Sequence, residues 1–198
     1  MNSTLALNIY GYTVLIESDL FNCENLKAAI DFAHFTEINS SNEYHLRIYL
    51  YELKSKETGG LYLGKTKMCR VRQRSFNSRE LEYIYNNHTI AIVNDSTSEK
   101  NRRLEIKAEN TDVIDDILYF FLNSSAGEYL ESHGMMRLHA LSYKISDQGI
   151  LVHGAPGYGK STLALELIKN PLVEIFSDEI TIINLKTKLI HPYPLRIA

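Results

Sequence analysis

The chain has few cysteines, no long apolar run and no large excess of either charge. Cys23 and Cys69 are its two cysteines, and their separation fits neither a CxxC zinc site nor a disulfide framework. They are typical of the reduced thiols of a cytoplasmic protein, so we expect a cytoplasmic location. No apolar run approaches the roughly 20 residues of a membrane-spanning helix. The first residues lack a basic segment followed by an apolar one, so we expect neither a membrane span nor a secretory signal.

The charge of the chain gives no general attraction to polyanions. Its 198 residues carry a formal net charge of −3, which provides no overall preference for nucleic acid or membrane surfaces. The most basic segment, 65–79, places Arg70, Arg72 and Arg74 on one face of a predicted strand. Two interpretations stay open: a docking surface for an acidic or phosphorylated partner, or a solvated strand edge whose cations discourage aggregation. The segment lacks the interleaved aromatic residues of a nucleic-acid platform, so we expect no nucleic-acid partner.

The feature that most constrains function is a glycine-rich run at 154–161. Gly154, Gly159, Lys160 and Ser161 fill the fixed positions of the phosphate-binding pattern GxxxxGK[S/T]. In this pattern backbone N–H groups surround a polyphosphate, the lysine reaches the β- and γ-phosphates, and the serine hydroxyl ligates Mg²⁺. We therefore predict that a nucleotide is bound by the run and the residue after it: Gly154, Ala155, Pro156, Gly157, Tyr158, Gly159, Lys160, Ser161 and Thr162.

The neighbouring sequence fits this motif. The apolar run 149–153 predicts a strand before the loop, and the spacing of Leu163, Leu167 and Ile168 predicts a helix after it. Since proline cannot continue a helix, Pro171 ends the helical pattern. The positive end of the helix dipole would then face the phosphates.

A carboxylate that supports the metal is predicted at the next strand. The run 173–176 is typical of a strand and would carry Asp178 to the edge of the sheet beside Ser161. The alternative is that Asp178 and Glu179 form a solvated acidic pair. Further strand-like sequence follows almost at once, with little room for the crossover helix of an ordinary doubly wound nucleotide-binding fold.

The sequence predicts two domains. Residues 1–110 contain strand patterns at 7–16, 44–53, 89–93 and 103–107 and a helical pattern at 24–35, without catalytic spacing. We interpret this part as an α+β module, a candidate for docking a partner or substrate. Residues 111–198 begin with a predicted helix over 112–122 and contain the predicted nucleotide-binding core.

The order of these features resembles the HPr kinase/phosphorylase family and the related HPr-kinase-like serine kinases. The resemblance covers about residues 130–192, and it depends on Leu138-His139-Ala140, on the loop 154–161 and on Ser177-Asp178-Glu179. It implies an α/β fold with a mixed-sheet P-loop core, akin to that of phosphoenolpyruvate carboxykinase. It also implies that this core is incomplete at its C-terminus, because the family continues beyond the position of Ala198.

The resemblance implies a function as well, which is ATP-dependent phosphoryl transfer to a serine hydroxyl of a protein or peptide. It makes Lys160, Asp178 and His139 catalytic: Asp178 takes the proton of the acceptor serine, and His139 sets the ionisation of this acid. Mg²⁺ would be held by Ser161, Asp178 and Glu179. A homo-oligomer is expected because classical members assemble into rings. Two alternatives stay open: a nucleotide-binding regulatory or scaffold protein without full catalytic machinery, and a simple P-loop NTPase.

Overall fold

A computed structural model describes residues 3–36, 43–54, 62–86, 88–98 and 101–194. The chain divides into two compact units, Met1–Ser124 (the N-terminal unit) and Ser125–Ala198 (the C-terminal unit). This division lies later in the chain than the predicted one at residue 110. Among the described residues, no helix combines the length and the hydropathy that crossing a bilayer requires.

The N-terminal unit is built on an eight-stranded sheet with the strand order β1-β2-β3-β8-β7-β6-β5-β4. The strands β2, β3 and β8 run parallel to one another, and the other neighbouring pairs are antiparallel. In chain order the strands are β1 (Ser3–Ile9), β2 (Tyr12–Ser18), β3 (Leu46–Glu52), β4 (Tyr62–Lys65), β5 (Cys69–Ser75), β6 (Ser78–Tyr85), β7 (His88–Thr97) and β8 (Arg102–Ala108).

Alternating side chains give this sheet a buried apolar face. In β3, Leu46, Ile48 and Leu50 are fully buried, whereas Arg47 and Tyr49 point to the other face and are half-buried. The period of two is that of a strand with one face in the core, so the predicted alternation in this segment is confirmed. The predicted helix at 24–35 is instead the short helix α1 (Lys27–Asp31) between two 3₁₀ turns.

The long helix α2 (Thr111–Ser132) begins in the N-terminal unit. Its Ile114, Leu118 and Leu122 are fully buried there. Asp115 Oδ1 accepts a hydrogen bond from the backbone N–H of Ala28 at 3.2 Å, which joins this helix to α1. Burial of the apolar stripe and this buried hydrogen bond fix the first half of α2 within its unit.

The C-terminal unit contains a second sheet centred on β9. Its elements are β9 (Met135–Ile145), β10 (Gln148–His153), α3 (Lys160–Leu167), β11 (Val173–Ser177), β12 (Ile180–Asn184) and β13 (Ile190–His191). The strand β10 pairs with one edge of β9, while β11 and β12 pair with the other edge. Because β10 and β11 both run antiparallel to β9, they are parallel to each other with β9 between them.

The predicted fold class, an α/β P-loop core with an N-terminal α+β module, is wrong. Strands account for 49% and helices for 23% of the described residues, in two sheets with three α-helices, and an α/β core is not shown. All described pairings of the second sheet are antiparallel. The physical reason lies in the connections: Asp178 and Glu179 alone join β11 to β12, and both strands run antiparallel along the same edge of β9, so no covering helix lies between them.

Candidate functional site

The glycine-rich loop lies between a strand and a helix, as its sequence context predicts. It leaves β10 after His153 and enters α3 at Lys160. Gly157 and Gly159 have φ angles of 84° and 80°, which side chains other than glycine rarely adopt. Gly159 is the N-cap of α3, and within the described chain no side chain caps this helix end. The N-terminal N–H groups of α3 are therefore not engaged by a capping side chain.

Lys160 turns back into the loop that it ends. Its side chain is 9% exposed. Its Nζ donates hydrogen bonds to the carbonyl oxygens of Gly154 at 2.9 Å and Ala155 at 3.5 Å. A buried ammonium group needs such acceptors, because removing its water without replacement is costly. The lysine thus connects the two ends of the loop.

Asp178 carries a buried carboxylate whose hydrogen bonding is incomplete. The residue is 4% exposed, and its Oδ1 is buried without a hydrogen-bond donor among the described residues. The connection that carries it is fixed on both sides, because Ser177 Oγ accepts from the N–H of Ile180 at 3.2 Å and the N–H of Ala140 donates to Glu179 O at 3.2 Å. An unpaired buried carboxylate oxygen is unfavourable, so this position suits a bound cation or an external donor.

A cleft of about 420 Å³ brings most of the predicted site residues together. It is lined by His139, Pro156, Gly157, Gly159, Lys160, Ser161, Thr162, Asp178 and Glu179. All residues predicted to be catalytic or to bind the metal are in this lining. Gly154, Ala155 and Tyr158, also predicted to bind the nucleotide, are outside it, and the Tyr158 side chain is 80% exposed.

His139 reaches the cleft from β9, where it pairs in register with Ile180 of β12. Its imidazole is exposed, and its backbone carbonyl oxygen lies 3.3 Å from Nδ1 of His153. The antiparallel pairing of β9 with β12 therefore brings His139 close to the Asp178–Glu179 connection. This proximity follows from strand register, which the sequence alone does not reveal.

The cleft contains oxygen atoms that suit Mg²⁺ as ligands. They are too few to complete its coordination, so a substrate would have to supply the remaining ligands. Ser161 contributes a hydroxyl, and Asp178 and Glu179 contribute carboxylates, all of them hard oxygen donors. Within the described ranges no three His, Cys, Asp or Glu side chains converge on one point. Mg²⁺ is commonly bound through one or two carboxylates together with phosphate oxygens.

The arginines of the basic segment are neither a free docking surface nor a solvated edge. Arg72 is 3% exposed, and its Nη1 and Nη2 lie 3.3 Å and 3.1 Å from Glu80 Oε1 and Glu82 Oε2. Arg70 pairs with Glu82, and Arg74 pairs with Glu80. The alternating acids of β6 face the alternating arginines of β5 in the antiparallel register, so the two carboxylates offset two of the three positive charges.

A second cavity, of about 510 Å³, lies in the N-terminal unit and contains none of the predicted site residues. Its walls include carboxylates such as Asp19 and Glu105 beside Lys54 and Lys107. It is larger than the cleft of the C-terminal unit, yet it lacks both a glycine-rich loop and a helix N-terminus. Chemistry, not volume, therefore identifies the cleft at Lys160 as the candidate site.

Comparison with family models, with curated proteins and with solved structures finds no match. The resemblance to HPr-kinase-like serine kinases therefore stays a prediction that depends on the motif residues themselves. A function for the cleft must be argued from the residues that line it.

Proposed function

We propose that the cleft of the C-terminal unit binds ATP with Mg²⁺ and that the protein transfers the γ-phosphoryl group to a serine hydroxyl of a protein or peptide. The observation that supports this best is the meeting of Lys160, Ser161 and Asp178 in one cleft, where a buried oxygen of Asp178 has no donor in the described part of the chain. Such an oxygen is costly to maintain. A bound metal ion or substrate hydroxyl would supply what it lacks.

In this proposal the loop binds the phosphates. The Cβ positions of Gly157 and Gly159 face open space, so a phosphate group can approach their backbone N–H groups. The ammonium group of Lys160 would exchange the carbonyl oxygens of Gly154 and Ala155 for phosphate oxygens. The N-terminus of α3 adds a favourable potential for negative charge.

The acidic residues would hold the metal and accept the proton. Ser161, Asp178 and Glu179 would hold Mg²⁺, which when bound neutralises charge on the β- and γ-phosphates. A carboxylate oxygen of Asp178 takes the proton of the acceptor serine, while the serine oxygen bonds to phosphorus and the bond from phosphorus to the ADP oxygen breaks. His139, at the rim of the cleft, would influence the ionisation of Asp178.

A second candidate function is a nucleotide-binding regulatory or scaffold protein. The observation that favours it is the composition of the cleft: among the described lining residues, Lys160 is the one lysine and there is no arginine. Phosphoryl transfer benefits from several cations around the transferred group. With a single lysine, binding could be efficient while transfer is slow.

Incubation with γ-labelled ATP, Mg²⁺ and an array of serine-containing peptides tests these functions. Label on serine supports the kinase, and ATP binding without turnover supports the regulatory protein. Release of labelled phosphate to water supports a simple NTPase. Failure of ATP–Mg²⁺ to bind in calorimetry would contradict all three. The Asp178→Asn variant is the control for label that reaches serine through a contaminating kinase.

A further inference from the structure

Three fully buried hydroxyl groups lie beside the Asp178–Glu179 connection. They belong to Ser142 of β9, Ser177 of β11 and Thr181 of β12, and each of these residues is 0% exposed. We call them the hydroxyl cluster. A buried hydroxyl is unfavourable unless it is hydrogen-bonded, so the partners of these groups indicate how the cluster acts on the connection.

The strands β11 and β12 follow the same edge of β9, and the connection lies between them on that edge. Ser177 pairs with Ser142, and Ile180 pairs with His139. Two residues separate these pairs on each side, so the register along the edge continues unchanged through the connection. The connection therefore lies opposite residues 140–141 of β9, directly after His139 in that strand.

Thr181 makes the side-chain hydrogen bonds that join β12 to β9 at this point. Its Oγ1 donates to the carbonyl oxygen of Ala140 at 2.9 Å and lies 2.9 Å from Oγ of Ser142. Since the Thr181 hydroxyl carries one proton, the Ser142 hydroxyl supplies the proton of the second bond. Ala140 in turn donates its backbone N–H to the carbonyl oxygen of Glu179 at 3.2 Å. Ala140 is thus bonded both to the connection and to Thr181.

The beginning of the connection is held by a hydroxyl as well. Oγ of Ser177 accepts a hydrogen bond from the N–H of Ile180 at 3.2 Å, which closes a turn over Asp178. The register of β11 shifts between Ile175 and Ser177, and such bulges commonly re-aim a side chain beside an active site. The hydroxyl groups of Ser177 and Thr181 therefore hold the two ends of the connection.

The contribution of Thr181 depends on its hydroxyl rather than on its bulk. Valine has nearly the same shape and also favours strands, and its burial would not carry the cost of a polar group. What the hydroxyl adds is a pair of directional bonds to β9, beside the residue that carries the His139 imidazole.

We propose that Thr181 is a positioning residue, which holds the connection on β9 and thereby fixes the Asp178 carboxylate relative to His139. This inference rests on the proposed function, in which Asp178 takes the proton of the acceptor serine. Thr181 is fully buried and is not among the described residues that line the cleft, so it acts through the backbone of the connection. A displacement of about 1 Å in a reacting group lowers a rate by about 10²-fold.

The test compares Thr181→Val, Thr181→Ser and Ile182→Val in the full chain. The first variant removes the hydroxyl, and the second retains it. With γ-labelled ATP and the serine peptides, we expect Thr181→Val to lower the transfer rate by about 10–10²-fold, with a smaller change in the Kd for ATP–Mg²⁺. Transfer by Thr181→Ser should be close to the wild-type rate, because its hydroxyl can make the same bonds.

Ile182→Val distinguishes positioning from a loss of stability. Ile182 is 0% exposed in the same strand, and removing a buried methylene lowers the unfolding midpoint in urea. This variant keeps the hydroxyl cluster, so transfer should stay at the wild-type rate. Wild-type transfer in Thr181→Val, or an equal loss of transfer in Ile182→Val, would overturn the proposal. If Thr181→Val fails to fold by circular dichroism, Thr181→Ala decides in its place, since it also lacks the hydroxyl.

Amide hydrogen exchange distinguishes failure of this inference from failure of the proposed function. The N–H of Ala140 donates to Glu179, so its exchange rate reports on the connection without nucleotide or substrate. We expect this amide to exchange about tenfold faster in Thr181→Val than in wild type or in Ile182→Val, through local opening. If wild type transfers no label to any peptide, the proposed function fails. Unchanged exchange in Thr181→Val would then refute the role of Thr181, and faster exchange would support it.

Discussion

The side-chain nitrogen of Lys160 donates a hydrogen bond to the carbonyl oxygen of Gly154, 2.9 Å away, and so joins the first and last parts of the glycine-rich loop. The lysine therefore has two roles in the proposed function. It fixes the loop without ligand through backbone carbonyls, and it exchanges these for phosphate oxygens when ATP binds. The exchange keeps its positive charge paired throughout, which avoids the cost of a buried unpaired ammonium group.

Replacing this lysine should weaken ATP binding. We expect Lys160→Ala to raise the Kd for ATP–Mg²⁺ by at least about tenfold, because a charge-assisted hydrogen bond contributes about 1.5–3 kcal/mol. Calorimetric titration measures the change. Lys169→Ala is the matched control, since Lys169 is exposed and pairs with Glu166 at 2.7 Å. Equal ATP affinity in wild type and Lys160→Ala would refute the assignment of the phosphate-binding loop.

Asp178→Asn should separate transfer from binding. We expect transfer to serine to fall by about 10²–10⁴-fold, the usual contribution of a positioned acid or base, with a smaller change in ATP affinity. Because Oδ1 of Asp178 lacks a donor among the described residues, removing the charge should not lower stability without nucleotide. Labelled-ATP assays and urea unfolding measure the two effects. The control is Glu174→Gln on β11, and an unchanged transfer rate in Asp178→Asn would contradict the role of this acid.

A substitution in the loop tests the need for its backbone conformation. Gly159 has φ of 80°, and a Cβ there would meet no atom within 4 Å. Gly159→Ala therefore introduces backbone strain without a steric clash, about 1–2 kcal/mol. We expect a lower unfolding midpoint and weaker ATP binding.

Gly64→Ala is the matched control for this loop variant. Gly64 also has no atom within 4 Å of its Cβ position, but its φ is not positive. Its substitution should change stability by less than about 0.5 kcal/mol. Equal effects of the two substitutions in urea unfolding would show that the loop does not depend on the left-handed conformation of Gly159.

Replacing the buried arginine of β5 should lower the free energy of unfolding more than replacing a residue of an exposed ion pair. Removing one partner of a buried pair costs about 3–5 kcal/mol, because the other charge is left without compensation. We expect Arg72→Met to lower the free energy of unfolding by about this amount, since Glu80 and Glu82 would remain buried. Lys27→Met is the control: Lys27 and its partner Asp112 are 70% and 84% exposed, so less than about 1 kcal/mol should be lost. Similar losses in the two variants would contradict the importance of burial.

The sequence predicted the individual strands better than their pairing. The alternation of apolar residues predicted β3, and the glycine-rich motif predicted the loop with its flanking strand and helix. Both signals are local in the sequence. The pairing of Arg72 with Glu80 depends on the register of β5 and β6, and the antiparallel second sheet depends on which edge of β9 each strand joins. Neither the register nor the choice of edge can be read from the periodicity of the residues. The helix α2 also continues through Asn123 and Ser125, beyond the predicted helix of 112–122, because these polar residues are buried rather than in a loop.

Asp95 should make stability depend on acid pH. Burial by itself raises the pKa of this carboxyl, but hydrogen bonds and charges from Arg102 and then Arg79 lower it more, so the pKa is below the ordinary value of 3.8. A depressed pKa in the folded state means that the stabilisation is present above the pKa of the unfolded chain and is lost as pH falls through the folded pKa.

We therefore expect the contribution of Asp95 to be complete above about pH 5 and to decline from about pH 4 downward. Urea unfolding at a series of pH values should show a steeper acid decline in wild type than in Asp95→Asn, and the variant should be less stable at neutral pH. Asp112→Asn is the control, because its ion pair with Lys27 is exposed to solvent and such exposed pairs contribute little to stability. A decline of the same slope in wild type and Asp95→Asn would show that the two arginines do not hold the charged form of this carboxylate.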